Sequence, residues 1–364
     1  MPRFRRVRYR SRAGSTAGGG GCTDDGHTPC VSAVSGTVSQ GNTLTVTGIN
    51  LHKLDQSAWR SYWTATEPDA WDTSGANATA DGFQGFSGNI VPAYDATVGL
   101  FGGQSLKARV VEGVGPITCP GVADQVSMCY PATFGGGSDS ASATGGGSSE
   151  DIYFRHYIRY DSAGVRWAQF AKNTFIGSSF PVLSQPENVT DGPIPANWFV
   201  QNNAATSINN SVAFPHGGNM QLLRWYCIEQ RMKCSTTLGN NIYTLWIDGT
   251  QVLNLTSFAQ AQVAANWQMC IVNACHNSGQ YDITNWTTGL ATSNTARIYP
   301  ACMAEITTSA TYGGTKQYCA PVSITDTSCQ VYIGEDLATV LGAGPYYLHW
   351  RNHQQYQAAT GFAL

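Results

Sequence analysis

The sequence predicts an all-β protein, and three observations predict it. Charged residues make up only 12% of the chain, while glycines number 40 and aromatic residues reach 11%. That balance belongs to many short strands joined by tight turns rather than to helices. Asp151–Tyr160 alternates strictly, with Ile152, Phe154, His156, Ile158 and Tyr160 on one face and Tyr153, Arg155, Tyr157 and Arg159 on the other. Asp248-Gly249, between Trp246-Ile247 and Thr250, has the two residues that accept the positive φ of a type I′ hairpin turn. A length of 364 residues is enough for two or more domains with their own cores.

Met1–Arg12 carries Arg3, Arg5, Arg6, Arg8, Arg10 and Arg12 and no acid, and Gly18–Gly21 follows. Residues 1–29 therefore read as a flexible basic arm and linker. The arm is either a disordered, soluble terminus or a contact for nucleic acid or another anionic surface. The chain as a whole has a net charge of −3 and is no polyanion binder. No apolar run follows the arginines as it would in a secretory signal. No stretch approaches the ~20 apolar residues of a membrane span. An extracellular place then implies unconventional export, a misplaced start codon, or release by lysis, as with virus and phage structural proteins.

The 11 cysteines include the local pairs Cys22/Cys30, Cys119/Cys129, Cys227/Cys234 and Cys270/Cys275, then Cys302, Cys319 and Cys329. Local pairing points to disulfides that pin loops in an oxidising setting; the alternative is buried thiols packed as small hydrophobes. The odd count leaves one thiol over, with Cys329 or Cys22 the candidates. There is no CxxC and no histidine at zinc-finger spacing, so no metal site is expected. His349 and His353, in HWRNH, fall on a strand and turn, which spoils the helical spacing a metal needs. No nucleotide-binding or GxSxG motif occurs, and no cofactor is expected.

Further strands are expected along the chain. Val31–Val34, a Ser-Gly turn and Leu44–Val46 form a hairpin, and Phe101–Val110 is a glycine turn leading into a strand. Leu222–Met232, Ile242–Ile247 and Gln268–Asn273 follow. The tail offers Ala296–Tyr299, Ser323–Ile333, Pro345–Trp350 and Gly361–Leu364.

The phrase SGTVSQGNTLTVTG, Ser35–Gly48, resembles the opening of IPT/TIG domains, which have an immunoglobulin-like fold. The family's remaining strands are missing directly after it, and the tail resembles them. The resemblance implies a split immunoglobulin-like domain, residues 30–55 with 295–364, interrupted by an inserted domain at 56–294. Insertion at a loop tip is tolerated because the loop ends stay close. The alternative is separate modules in series.

Within the insert, GGQSLK, YFRHYIRYD, RWYCIEQRMK and YTLWIDGTQV occur in that order between Gly102 and Val252. This series resembles concanavalin A-like (laminin-G-like) jelly rolls, including polysaccharide-lyase and glucanase relatives. The resemblance implies a jelly-roll β-sandwich with one sheet forming a glycan groove. Tyr153 and Tyr157 would then offer flat faces to sugar rings, and Arg155 and Arg159 would meet carboxylates or sulfates. Lys172, Arg224 and Tyr226 would extend the patch. The competing reading is an ordinary solvated sheet face.

Catalytic residues are not assignable from the sequence. A lyase needs a base, a proton donor and a cation, for which Arg155, His156, Gln169, Lys172 and Tyr226 are candidates, yet the alginate-lyase signatures are missing. A retaining glucanase needs paired carboxylates, commonly Glu-x-Asp-x-x-Glu, and Glu229 and Glu305 stand alone. The expected function is a non-catalytic extracellular or virion-surface protein of the phage type whose jelly roll binds a glycan or cell-surface polysaccharide. It would act alone, as a homo-oligomer or in a virion lattice. The rivals are a lyase or hydrolase of acidic glycans and a capsid protein whose arm meets nucleic acid.

Overall fold

A computed structural model describes residues 22–53, 97–101, 209–233, 241–258 and 297–364, together with the strands given below. In chain order these are β1 Cys30–Ser35, β2 Thr43–Ile49, β3 Ser61–Trp63, β4 Ile90–Asp95, β5 Ser105–Val110, β6 Val126–Tyr130, β7 Ala143–Thr144 and β8 Asp151–Tyr160. Then come β9 Thr174–Ile176, β10 Val182–Glu187, β11 Asn197–Asn202, β12 Asn209–Ala213, β13 Trp225–Lys233, β14 Asn241–Ile247, β15 Thr250–Phe258, β16 Asn266–Ala274 and β17 Thr284–Ser293. The last are β18 Cys302–Thr307, β19 Gln317–Ile324, β20 Ser328–Tyr332, β21 Tyr347–Asn352 and β22 Phe362–Ala363. Helix among the described residues is confined to Leu337–Leu341, so the protein is all-β. Asp336 caps that short helix, accepting from Ala338 N–H (3.1 Å) and the Thr339 hydroxyl (2.7 Å).

The chain divides into two compact units, Met1–Leu54 with Ala301–Leu364, and Asp55–Pro300. The smaller unit holds one path of seven strands, β1-β2-β20-β19-β18-β21-β22. Strand β2 alternates Thr43, Thr45 and Thr47 outward with Leu44 and Val46 fully buried. Its edge pairs with β20 across Thr43↔Tyr332 to Thr47↔Ser328. The two ends of the path also meet. Trp350 Nε1, on β21, donates to the Leu51 carbonyl just after β2 (2.8 Å). Asn352 Nδ2 donates to the carbonyls of Asn50 (3.0 Å) and His27 (2.6 Å). The path thus folds over a core of Leu44, Val46, Ile306, Val331, Leu348 and the fully buried Trp350 ring. Gly48 packs so tightly that a Cβ there would collide with the Cys30 carbonyl.

Several sequence expectations change at this level. Cys22 is not the spare thiol: it forms a disulfide with Cys30, closing the Thr23–Pro29 loop. Cys227 is a buried thiol rather than a partner of Cys234, which lies outside the described residues. Cys329 is also a buried thiol, pushed up to about 12 chiefly by burial, and Cys302 and Cys319 are buried. Cys119, Cys129, Cys270 and Cys275 offer no described side chains. Ser323–Ile333 is a hairpin, not one strand. The Thr325 hydroxyl accepts from Ser328 N–H (2.9 Å), so a threonine makes the turn without glycine or proline. Arg297–Tyr299 is not a strand. Strand β13 begins only at Trp225, because Leu223 sits at φ 61, which cannot extend.

The larger unit is a β-sandwich of a seven-stranded sheet, β12-β11-β10-β9-β16-β6, to which β7 adds on β16, and an eight-stranded one, β15-β14-β13-β8-β17-β5-β4, to which β3 adds on β17. Strand β8 is central in the second sheet, with β13 on one side and β17 on the other. Ile158, Tyr226, Ile228, Tyr243, Leu245 and Ile247 are buried on β8, β13 and β14, as are Trp198 and Val200 on β11. The Asp-Gly hairpin forms as the sequence predicts: Ile247 pairs with Thr250 around Asp248 (φ 51) and Gly249 (φ 79).

His156 is fully buried, and burial lowers its imidazole to about 3; burial and the Arg224 charge lower His216 to about 4. Both rings are neutral in the native state at pH 7. The unfolded chain binds their protons near pH 6.5. The stability they contribute is therefore full above pH 6.5 and is lost as pH falls toward 4 and 3. Denaturant midpoints measured from pH 7.5 down to 4.5 are expected to decline for the wild type and to decline less for His156→Leu. Parallel declines would remove His156 as a cause.

Candidate functional site

The registers of β8, β13 and β14 decide which side chains share a face. Arg155 lies opposite Glu229, and Glu229 opposite Trp246; Tyr153 lies opposite Arg231, and Arg231 opposite Thr244. Cross-strand neighbours on one face interact directly, so these six residues form two adjacent rows across three strands. Thr244 continues its row by donating to Asn254 Oδ1 on β15 (3.0 Å).

The row through Glu229 is roofed by the segment Arg297–Pro300. Arg297 forms a two-point pair with the buried Glu229 carboxylate, Nε to Oε2 at 3.0 Å and Nη2 to Oε1 at 2.8 Å. The N–H of Tyr299 donates to Glu229 Oε2 (2.9 Å), and Arg155 Nη1 donates to the Tyr299 carbonyl (2.6 Å). The Arg297 guanidinium lies over the Trp246 ring at 4.5 Å and over the Tyr299 ring at 4.5 Å. In the next row the Arg231 guanidinium lies 5.4 Å from the Tyr153 ring, and Tyr153 stacks toward Trp246 at 6.4 Å.

What reaches solvent is a strip in which rings and guanidinium groups alternate. Tyr153, Arg231, Arg297 and Tyr299 are half-buried, and Trp246 backs them at 8% exposure. The strip and its supports carry guanidinium groups on Arg155, Arg231 and Arg297 and a carboxylate on Glu229. Guanidinium groups beside aromatic faces suit a flat ligand with apolar faces and anionic substituents.

The residues singled out from sequence separate in the structure. Tyr153 and Arg159 are half-buried; Arg159 Nε donates to the Leu223 carbonyl (3.0 Å). Arg155, Tyr157, Arg224 and Tyr226 are buried. Arg155 and Tyr157 were expected on an open face, but strand β8 is covered on both faces at its centre. Arg224 pairs with the buried Asp248 at 2.6 Å, and Asp248 also accepts from Cys227 N–H (2.9 Å). Burial pushes the Asp248 carboxyl up, against the opposing pull of Arg224. Lys172, Gln169 and Arg3, Arg5, Arg6, Arg8, Arg10 and Arg12 lie outside the described residues. Arg231, Trp246, Arg297 and Tyr299 were not singled out from sequence. Arg231 and Trp246 follow from the register alone; Arg297 and Tyr299 sit beyond any local pattern.

Two other clusters are built around tyrosine hydroxyls. Tyr226 is fully buried; its hydroxyl accepts from Gln221 N–H (2.7 Å) and lies 3.2 Å from His216 Nε2. In the smaller unit the Tyr312 hydroxyl donates to Glu305 (2.6 Å) and accepts from Lys316 (2.9 Å) and Arg351 (3.1 Å). Burial and the Glu305 contact raise the Tyr312 phenol. His349 Nε2 faces the Ser309 carbonyl (2.9 Å) and the Thr307 hydroxyl (3.0 Å). Among the described residues no group of three or more His, Cys, Asp or Glu side chains could hold a metal.

No protein-family model and no curated protein matches the chain. Solved structures similar in outline include an endo-β-1,4-glucuronan lyase from the fungus Trichoderma reesei, with a TM-score of 0.38 and 11% identity over 65% of this chain and 96% of that one. A variant of alginate lyase Aly36B in complex with alginate trisaccharide gives a TM-score of 0.43 and 11% identity over 65% and 98%. Cellulose induced protein Cip1 gives 0.36 and 12% over 65% and 99%. Likenesses this distant assign neither a family nor a chemistry to the chain.

Proposed function

We propose that the larger unit binds carbohydrate without turning it over, as part of an extracellular or virion-surface protein of the phage type. The observation that carries this reading is the half-exposed strip of Tyr153, Arg231, Arg297 and Tyr299 backed by Trp246. Aromatic rings give a sugar's C–H faces a flat apolar surface, and guanidinium groups pair with carboxylate or sulfate in two-point geometry. The low share of charged residues and the concanavalin-like order of sequence motifs support the same reading. Tyr153 and Arg159 keep their proposed contact roles. Arg155, Tyr157, Arg224 and Tyr226 serve behind the surface, since they are buried. The split immunoglobulin-like architecture and the nucleic-acid role of the basic arm stay part of the proposal.

The test is retention on a panel of neutral and acidic glycans, with reducing and unsaturated ends measured in the same samples. Retention without new ends is expected, with acidic chains held more tightly and more weakly as salt rises. Arg231→Ala is expected to weaken retention about tenfold. New unsaturated ends would move the protein to the lyases. Retention of nucleic acid alone, lost when Met1–Arg12 is deleted, would move it to the capsid reading.

A further inference from the structure

Resting on the carbohydrate reading, we propose that Tyr299 is a ligand-contact residue whose ring is held ready to stack on a pyranose unit, and that Glu229 and Arg155 are its positioning residues. The first observation is its backbone. Tyr299 has φ 67, the left-handed region that an aromatic L-residue adopts only under constraint.

The second observation is what supplies that constraint. Its N–H is held by Glu229 and its carbonyl by Arg155, at 2.9 and 2.6 Å. These two side chains face each other in register on β13 and β8, and both are buried. The two peptide units that flank the strained residue are therefore each held by a buried side chain. The third is the ring. It stays half-buried, with the Arg297 guanidinium 4.5 Å from it and also 4.5 Å from the Trp246 ring. Arg297 is itself fixed by Glu229. The ring's orientation is therefore set by the same carboxylate that sets its backbone.

If the segment only had to change direction here, glycine would do so without strain. A strained position occupied by a large aromatic ring, next to guanidinium groups, points to the ring itself as the useful part. Glu229 then acts through Tyr299 and Arg297 rather than on the ligand.

The experiment measures retention of wild type, Tyr299→Phe, Tyr299→Ala and Tyr299→Gly on the glycan that the panel shows the wild type to hold, with a thermal melt of each. Tyr299→Phe keeps the ring and is expected to bind within about twofold of wild type. The alanine and glycine variants are each expected to lose about tenfold. They should differ in stability, with Tyr299→Gly melting a few degrees above Tyr299→Ala because glycine relieves the strain that alanine keeps. Wild-type retention undiminished in Tyr299→Gly would overturn this inference and leave the carbohydrate reading standing. No retention by the wild type on any glycan would overturn both.

Discussion

Asp248→Ala is expected to lower the stability of the larger unit by about 3–5 kcal/mol, roughly 10 °C in melting temperature. Asp248 and Arg224 are both buried and only 2.6 Å apart. Removing the carboxylate takes a close counter-charge from a buried guanidinium that keeps its bond to Gln221, and the Cys227 N–H loses its acceptor. The position also needs positive φ, which alanine resists and asparagine tolerates. A second variant relieves these causes together. Asp248→Asn combined with Arg224→Met keeps the acceptor and the turn and removes both charges together. Replacing a buried pair by neutral groups of similar size is often close to neutral, so this double variant should recover most of the loss. Chemical denaturation of the three proteins checks it; equal losses for both variants would contradict this, because the double variant keeps the acceptor and the turn, and would show that the ion pair itself carries the stability.

The second large effect is at Glu229. Glu229→Ala removes the shared partner of Arg297 and the Tyr299 N–H, directly opposite Arg155. The expected cost is again about 3–5 kcal/mol, since the Arg297 guanidinium and the Tyr299 N–H lose their shared acceptor together. Arg297 is 21% exposed and can turn to water, which places the loss toward the lower end. A local consequence distinguishes this site from Asp248. The segment Arg297–Pro300 loses its anchor, so limited trypsin digestion should cut after Arg297 faster than in wild type. Cleavage rates equal to wild type would show that the carboxylate does not hold the segment.

Much of the local structure was legible, and the reasons are visible in particular residues. Strict alternation placed strand β8 at Asp151–Tyr160, and Asp-Gly placed the turn at 248–249, because each signal lies within the residues that form the element. The turn at Thr325–Ser328 was missed because a threonine hydroxyl, not glycine, closes it. The start of β13 was misplaced because nothing in Leu222-Leu223 announces a left-handed leucine, which is nevertheless 58% exposed. The candidate site was legible only in part. Alternation correctly grouped Tyr153 with Arg155 but could not reveal that Arg155 is roofed by a segment far along the chain. Glu229 looked isolated in the sequence because its partners, Arg297 and Tyr299, are brought to it by tertiary folding alone.

The most direct test of the central claim is quantitative retention of the intact protein on an immobilised acidic polysaccharide, beside the double variant Tyr153→Ala/Arg231→Ala, with native folding of both confirmed by their melting curves. The account predicts that the wild type is retained and the double variant, equally folded, passes through. Equal retention of the two proteins, or retention of neither, would contradict it.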